Sequence, residues 1–280
     1  MKSKINKLFD KKYVSIILWV AILIILWEIG AIIVSVTKRS PENILPHLYK
    51  IIMSIFSSKK VSGGMSASMV VFVSAQATVI RAMIGFILGA FAGFILALLM
   101  KLSGICEKIL FPYLMLIQLI PVLGLAPIVL AITGDINKSR IIIAALLSFY
   151  PVATNTLAGF KSVGKDKYEL MKTYAAKKGT VYLKVLIPSA IPYFFTGAKI
   201  AAPMALTASF LVDTLQGDGG LGCMLSQSLK HAMSIYVFWI IVFLSAFLGI
   251  FSGVLMSWIE NLVSPEKRAL RKAKKIRGGN

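Results

Sequence analysis

Long apolar runs are the feature of this sequence that most limits what it can fold into. A helix needs about 20 apolar residues to cross the core of a bilayer. Six segments of that length carry almost no charge, and each is predicted to be a transmembrane helix. The predicted spans are Tyr13–Val36, Val79–Met100, Ile109–Ile132, Ile141–Phe160, Ala190–Val212 and Ile235–Ile259.

Charged residues are scarce and mostly positive. Only 15% of the residues are charged and 58% are hydrophobic, yet 31 Lys and Arg stand against 11 acidic residues, a net charge of +20. A soluble domain carries about a quarter charged residues, and a nucleic-acid-binding protein needs basic faces exposed to water. The composition therefore predicts a membrane protein with its charges in the loops, and it argues against a nucleic acid partner.

The basic residues also predict the side of the membrane on which each loop lies, because cytoplasmic loops are enriched in Lys and Arg. With a cytoplasmic N-terminus, 21 basic residues fall on the cytoplasmic side and eight on the outer side. We therefore expect both termini in the cytoplasm. The predicted organisation begins with a cytoplasmic basic arm (1–12), a first span (13–36) and an outer amphipathic helix and loop (40–65). A core of five spans (66–263), which contains a cytoplasmic loop (161–188), and a cytoplasmic basic tail (264–280) follow.

The segment 40–65 carries a helix-start signature and then apolar residues at helical spacing. Ser40 precedes Pro41 and Glu42, a combination typical of helix N-termini. Pro46 interrupts the pattern, so the helix begins either near Ser40 or, with the proline in its first turn, at Pro46. In either case the spacing is typical of an amphipathic helix on the outer membrane surface.

Three glycines, Gly85, Gly89 and Gly93, repeat at intervals of four residues in the second span. Small residues on one face of a helix let a second helix approach closely. This stripe predicts tight helix packing, either at a seam between two subunits or within one subunit.

Prolines and uncharged polar residues are concentrated in the third, fourth and fifth spans. A proline removes a hydrogen bond from a helix, and such breaks are tolerated in a membrane only against protein or a water-filled cavity. We therefore expect these spans to line a translocation path, although hydrogen bonding between helices is the alternative role for each polar residue. The candidates for the path are Gln118, Pro121, Ser148, Tyr150, Asn155, Thr207 and Ser209.

Ionisable residues within the predicted spans are few. They lie near the predicted membrane surfaces, where side chains reach water, so ion coupling within this chain has little support. A self-sufficient secondary transporter, which needs midplane ionic sites and internal repeats, is the alternative function. The residues concerned are Glu28, Arg81, Lys199 and Asp213, with Glu260 at the end of a span.

The sequence predicts neither a metal site nor an ATP site in this chain. The two cysteines and the two histidines, His47 and His231, lack the spacing of metal ligands. Gly159–Asp166 is close to a phosphate-binding P-loop, but Asp166 stands where Ser or Thr must bind magnesium. We therefore expect no bound cofactor and no enzymatic activity, with ATP and magnesium held by a partner protein.

The longest predicted cytoplasmic loop, Phe160–Pro188, carries seven lysines. Its centre, Tyr168–Lys178, contains no helix breaker and places Leu170, Tyr174 and Lys178 on one helix face. A short helix parallel to the membrane is predicted. It serves either as a basic surface against acidic lipid headgroups or as a docking helix for a soluble partner.

This loop resembles a motif of the inner-membrane permeases of ABC importers, in which Glu-Ala-Ala is followed after three residues by Gly and, further on, by Leu-Pro. If Glu169 is the motif glutamate, Leu170 and Met171 replace the alanines and Ala175 replaces the glycine. Pro188 then follows the glutamate by nineteen residues. The motif in this chain is therefore degenerate at three positions.

Further short motifs, in the same order along the chain, resemble the nitrate, sulfonate and taurine branch of these permeases. They are Trp27-Glu28, Ser40-Pro41, Ile120–Pro127, Phe149–Pro151 with Asn155-Thr156, and Gly217–Gly222 after Asp213.

The resemblance implies an all-α membrane fold of six transmembrane helices, like that of a type I ABC importer permease in the bacterial plasma membrane. It implies a homodimer that forms the import path, two ATPase subunits and an extracytoplasmic substrate-binding protein. The implied substrate is a small organic solute such as a sulfonate, a nitrate-like anion, a pyrimidine or a flavin. The residues implied in coupling to the ATPase are Asp166, Tyr168, Glu169, Leu170, Met171, Thr173, Tyr174, Ala175 and Lys178.

Overall fold

The computed structural model is built mainly of helices over the residues that it describes, which are 11–57, 60–62, 65–215, 219–230 and 235–264. Most of the basic arm, most of the tail, Gly217 and His231 lie outside these ranges. The helices are α1 (Lys11–Thr37), α2 (Leu48–Ile55), α3 (Ala67–Leu102), α4 (Gly104–Leu119), α5 (Val122–Thr133), α6 (Ile136–Lys161), α7 (Lys165–Thr173), α8 (Lys178–Val181), α9 (Ile187–Leu215), α10 (Leu221–Lys230) and α11 (Ile235–Val263).

Three short elements accompany these helices. A 3₁₀ turn, Pro41–Asn43, precedes α2, and a π-helical turn, Tyr182–Leu186, joins α8 to α9. An antiparallel pair of short strands, β1 (Lys60–Ser62) and β2 (Met65–Ser66), precedes α3.

Five helical segments of the described chain are long and apolar enough to cross a membrane. They are α3, α6, α11, residues 14–37 of α1, and the continuous segment from α8 to α9. The helices α4 and α5 make a sixth span if the two are counted as one bent span. The predicted all-α membrane fold is confirmed.

The predicted third span, Ile109–Ile132, is divided between two helices, as its prolines indicate. The helix α4 ends at Leu119, and the axes of Gly104–Leu119 and Gly124–Thr133 differ by 108°. Pro121 explains the break, because a proline disfavours the helical conformation of the preceding residue. Ile120 accordingly has an extended backbone, with φ −74° and ψ 126°.

The chain divides into two compact units, one formed by residues 1–72 and 225–242 and the other by residues 73–224 and 243–280. In the first unit, α1 is bonded to the residues that begin α2. Glu28 accepts a hydrogen bond from the Leu48 amide at 2.9 Å and pairs with Nδ1 of His47 at 2.7 Å. Trp27 Nε1 donates to the carbonyl of Pro46 at 3.1 Å. The surface helix therefore begins after Pro46, with an amide of its first turn satisfied from the first span.

In the second unit, the glycine stripe of α3 lies against α6 of the same chain. A Cβ atom added at Gly85 would lie 2.5 Å from the Cβ of Ala144, and one at Gly93 would lie 2.6 Å from the carbonyl oxygen of Phe149. At Gly89 the added atom would overlap the carbonyl oxygen of Ala145. The close approach that the stripe predicts is thus made within one subunit.

The helix α6 is the centre of this unit, because it also packs closely on α9. A Cβ atom at Gly197 of α9 would lie 2.5 Å from the carbonyl oxygen of Pro151. Ile143, Val152 and Phe160 of α6 are fully buried. The second unit therefore has a packed interior that can hold charged side chains away from lipid and water.

Candidate functional site

A buried charge cluster joins α3, α6 and α9. The carboxylate of Asp213 lies 2.8 Å from Nε of Arg140 and 3.4 Å from Nη1 of Arg81, measured to Oδ1. Thr78 donates its hydroxyl proton to Oδ2 at 2.6 Å. The side chains of Asp213 and Arg140 have no exposed surface, and that of Arg81 is 17% exposed. One carboxylate is thus shared by two guanidinium groups inside the protein.

The cluster also fixes the chain between α9 and α10. Arg140 Nη2 donates to the carbonyl of Gly219 at 3.2 Å, and the Leu221 amide donates to the hydroxyl of Thr78 at 2.9 Å. Gly220 has a φ of +99°, and a Cβ atom there would overlap the Asp213 carboxylate. Glycine is therefore required at position 220 for both its backbone angle and its size.

Local structure holds Arg140 in place. Asp135 caps the N-terminus of α6, accepting hydrogen bonds from the amides of Asn137 at 2.7 Å and Lys138 at 3.0 Å. The bonds from these amides, with the one from Lys138 contributing most, lower the pKa of the Asp135 carboxyl. The capped helix begins five residues before the predicted span, so Arg140 belongs to its first turns.

The expectation that intramembrane charges reach water by snorkelling is wrong for this cluster, and it missed Arg140. The sequence did contain an indication that Arg140 and Asp213 could pair. In the predicted topology, Arg140 at the outer end of the fourth span and Asp213 at the outer end of the fifth lie at one membrane level. A second intramembrane pair joins α9 to α11, where Nζ of Lys199 lies 2.6 Å from Oε2 of Glu260. The Glu260 side chain is only 5% exposed.

The predicted path residues on α6 and α9 mostly bond to backbone carbonyls. Ser148 and Asn155 donate to the carbonyls of Ala144 and Pro151, four residues earlier in α6, at 2.6 and 2.8 Å. Ser209 donates to the carbonyl of Thr78 at 3.3 Å and so joins α9 to α3. Ser148 and Ser209 are buried, whereas Asn155 is partly buried.

Only Thr207 of the predicted path residues lines a cavity of about 360 Å³ between α3, α9, α10 and α11. The other walls are largely apolar, and hydroxyls come from Thr207, Thr78 and Ser245. Because Thr78 also donates to Asp213, this cavity adjoins the charge cluster. Gln118 and Pro121 are exposed at the break between α4 and α5, and Tyr150 packs partly buried against the core.

The predicted coupling segment folds as α7 followed by a turn. No residue of α7 is buried, and Leu170 is 55% exposed. Tyr174, directly after the helix, is 74% exposed. The prediction of a helix through Lys178 is wrong, because α7 ends at Thr173 and Lys178 begins α8.

The remaining coupling candidates divide between the two sides of α7. Asp166 and Glu169 are exposed, and Thr173 donates its hydroxyl proton to the carbonyl of Glu169 at 3.1 Å. Tyr168 packs partly buried against the core, and Met171 is half-buried.

Ala175 explains why the helix ends where it does. Its φ is +47°, and among the described residues it is the only non-glycine with a positive φ. Left-handed backbone is the conformation in which glycine commonly ends a helix. Ala175 occupies the position of the glycine in the permease motif when Glu169 is the motif glutamate. The backbone thus supports that alignment.

Replacing Ala175 by glycine is expected to stabilise the protein by about 1 kcal/mol, because a left-handed conformation costs an L-residue about 1–2 kcal/mol. Thermal unfolding of the purified protein in detergent measures the effect as a raised melting temperature. The matched control is Ala176→Gly, one residue further on, which should give no gain. A melting temperature lowered equally by both changes would contradict the left-handed turn.

Comparison with known proteins gives the family of the chain. Residues 85–265 match the family described as binding-protein-dependent transport system inner membrane component. The formylaminopyrimidine transport permease protein ThiX of Halalkalibacterium halodurans is 29% identical over 90% of this chain and 95% of its own length. The nitrate import permease protein NrtB of Synechococcus elongatus is 26% identical over 92% of each chain.

Solved structures share the fold. A chain from the crystal structure of an amino acid ABC transporter with histidines superposes with a TM-score of 0.60 at 18% identity, covering 70% of this chain and 95% of that one. A chain of the inward-facing MetNI methionine ABC transporter gives a TM-score of 0.56, also at 18% identity and with the same coverage. The chain therefore belongs to the family of binding-protein-dependent transport system inner membrane components, as a multi-pass membrane protein that serves transport and is not an enzyme.

Proposed function

We propose that this chain is the translocating subunit of an ATP-driven importer and that a separate ATPase docks on α7. The observation that carries this proposal is the exposed surface formed by Glu169, Leu170 and Tyr174. Glu169 and Leu170 lie on α7, a short helix between the membrane spans α6 and α9, and Tyr174 directly follows it. An exposed leucine and tyrosine beside a carboxylate offer both apolar area and charge to a protein partner. ATP and magnesium would be bound by that partner.

The same proposal places the substrate path between two copies of the chain. In the predicted topology, α7 lies in the cytoplasm, where an ATPase would reach it. Closure of the ATPase would then move α7, and α6 and α9 would transmit the movement as rigid packed helices. Binding of an extracytoplasmic receptor to the opposite side would complete the importer.

The proposed substrate is a small organic solute. Relatives are named for formylaminopyrimidine, nitrate and aliphatic sulfonates, and we extend this range of compounds, together with flavins, to the present chain. The hydroxyl-bearing cavity beside Thr207 offers hydrogen bonds and no free charge from its lining residues. This lining suits small polar molecules of several chemical types.

The double change Glu169→Ala with Leu170→Ala is expected to reduce capture of the ATPase about tenfold or more, because truncating a hot-spot residue of an interface costs about 2 kcal/mol or more. The tagged full chain is purified from the membranes of its native host, and the bound protein with a P-loop is quantified. Equal amounts of the chain in the membrane fraction show that insertion is unchanged.

The matched control is Ile105→Ala with Lys108→Ala. It also removes one apolar and one charged side chain, both exposed and on the same predicted side of the membrane, but outside α7. Capture of the ATPase should be unchanged in this control. Equal capture by wild type and by the α7 variant, or no P-loop protein bound to the wild type, would refute the docking site.

A further inference from the structure

A second, basic cavity lies on the other side of α7, between that helix, the end of α3 and the residues leading into α9. Its volume is about 930 Å³. Three lysines from three different elements line it: Lys101 at the end of α3, Lys172 on α7 and Lys178 at the start of α8. Leu170 and Tyr174, which we assign to the ATPase, do not line this cavity. The two faces of α7 can therefore have different occupants.

The lysines lie beside an apolar wall. Leu98 and Leu102 of α3 line the cavity, together with Leu186 at the end of the π-helical turn and Ile187 at the start of α9. Tyr168 and Tyr182 also line it, and the ammonium group of Lys101 lies over the Tyr168 ring at 5.8 Å from its centre. The cavity thus joins a cationic region to a hydrocarbon surface at the ends of membrane helices.

Ion pairing with other described residues does not neutralise the three lysines of this cavity. The ion pairs formed within the described ranges involve none of Lys101, Lys172 and Lys178. Lys172 and Lys178 are exposed and Lys101 is partly buried, so water only partly screens the repulsion between the three like charges. An anion bound among the lysines would remove that repulsion.

The backbone beside the cavity departs from a regular helix. Tyr182–Leu186 forms the π-helical turn, and three of its five residues line the cavity. π-helical turns are frequent at functional sites. This turn widens the helix where the apolar wall begins.

We propose that this cavity binds an anionic phospholipid, with its phosphate among the three lysines and its acyl chains along the wall formed by Leu98, Leu102 and Ile187. Basic pockets between membrane helices at the membrane surface suit acidic headgroups. A free phosphate ion would match the lysines but would leave the apolar wall uncovered. The bound lipid would support α7 from the membrane side, and only this last consequence rests on the proposed ATPase docking.

The test measures lipid binding by the purified full chain, with no ATPase present. Phosphatidylglycerol or phosphatidylcholine is added to delipidated protein in detergent, and bound lipid is counted by native mass spectrometry. The variant carries Lys101→Gln, Lys172→Gln and Lys178→Gln. Its affinity for phosphatidylglycerol should fall about 100-fold, because each lysine near an anionic headgroup contributes about fivefold. Affinity for phosphatidylcholine should be low and unchanged.

The matched control carries Lys108→Gln, Lys165→Gln and Lys167→Gln, which removes the same charge from exposed positions outside the cavity. Its affinity should change less than twofold. Equal weakening in both triple variants would show diffuse attraction and overturn the site. Full displacement of the lipid by millimolar inorganic phosphate would show that the lysines bind a phosphate ion, and it would overturn the proposal of a lipid site.

A second measurement needs no variant and so remains valid if the triple variant fails to fold. Phosphatidylglycerol with a photoreactive acyl chain is crosslinked to the wild-type chain, and the labelled peptides are identified. Labels should fall on residues 98–102 and 181–187. Labelling spread evenly over all spans would overturn the proposal. Because neither measurement uses the ATPase, failure here is distinct from failure of the docking site on α7.

Discussion

Replacing Asp213 by alanine is expected to destabilise the protein by about 3–5 kcal/mol, because removing one partner of a buried ion pair leaves an uncompensated charge. Arg140 would then be buried without its carboxylate, and Arg81 and Thr78 would lose the same partner. A loss of this size should lower the melting temperature in detergent by about 10 °C. The amount of chain in the membrane should fall as well.

Two further variants test whether the loss of stability comes from leaving a charge buried or merely from losing an ion pair. Glu107→Ala removes the carboxylate that pairs with Lys161 near the protein surface, and such pairs contribute about 0–1 kcal/mol. Arg140→Met with Asp213→Leu replaces the buried pair by apolar side chains and should recover most of the stability. If Asp213→Ala were no more harmful than Glu107→Ala, the cluster would not stabilise the fold.

Replacing Gly89 by leucine is expected to prevent the packing of α3 on α6. Even the first added carbon would overlap the carbonyl oxygen of Ala145 and lie 2.8 Å from the Cβ of Ser148. Overpacking of this kind costs about 1–3 kcal/mol for small additions, and a leucine side chain adds three more carbons. We expect folded protein to be lost from the membrane fraction, measured as the detergent-soluble monodisperse species in size-exclusion chromatography.

Gly249→Leu is the matched control for this substitution. Gly249 also lies within an apolar helix, α11, but an added Cβ atom there meets no other atom within 4 Å. The amount of folded protein should match that of the wild type. Folded Gly89→Leu protein in wild-type amounts would show that α3 and α6 do not pack through this glycine.

Much of the fold could be predicted because the long apolar runs of the sequence correspond closely to the long helices of the structure. Spacing alone also identified the stripe at Gly85, Gly89 and Gly93, although a sequence cannot say whether such a stripe meets its own chain or another. The break at Pro121 was present in the sequence as a proline, but its effect on the direction of the chain depends on packing around it.

The rest depends on contacts between residues far apart in the sequence. Arg140 and Asp213 carry no local signal of their pairing, and the bond from Leu48 to Glu28 joins two helices across a turn. The end of α7 was missed for a different reason. Alanine is the strongest helix former, so a left-handed Ala175 opposes every local preference at that position.

The partners of the charge cluster are synthesised much further apart in time than the partners of Glu28. Glu28 receives His47 after 19 further residues and Leu48 after 20, within a few seconds of translation. Arg81 precedes Asp213 by 132 residues, which takes about 7–26 s at about 5–20 residues per second. Until α9 is synthesised, neither Arg81 nor Arg140 has its carboxylate partner, and Asp213 then completes the cluster.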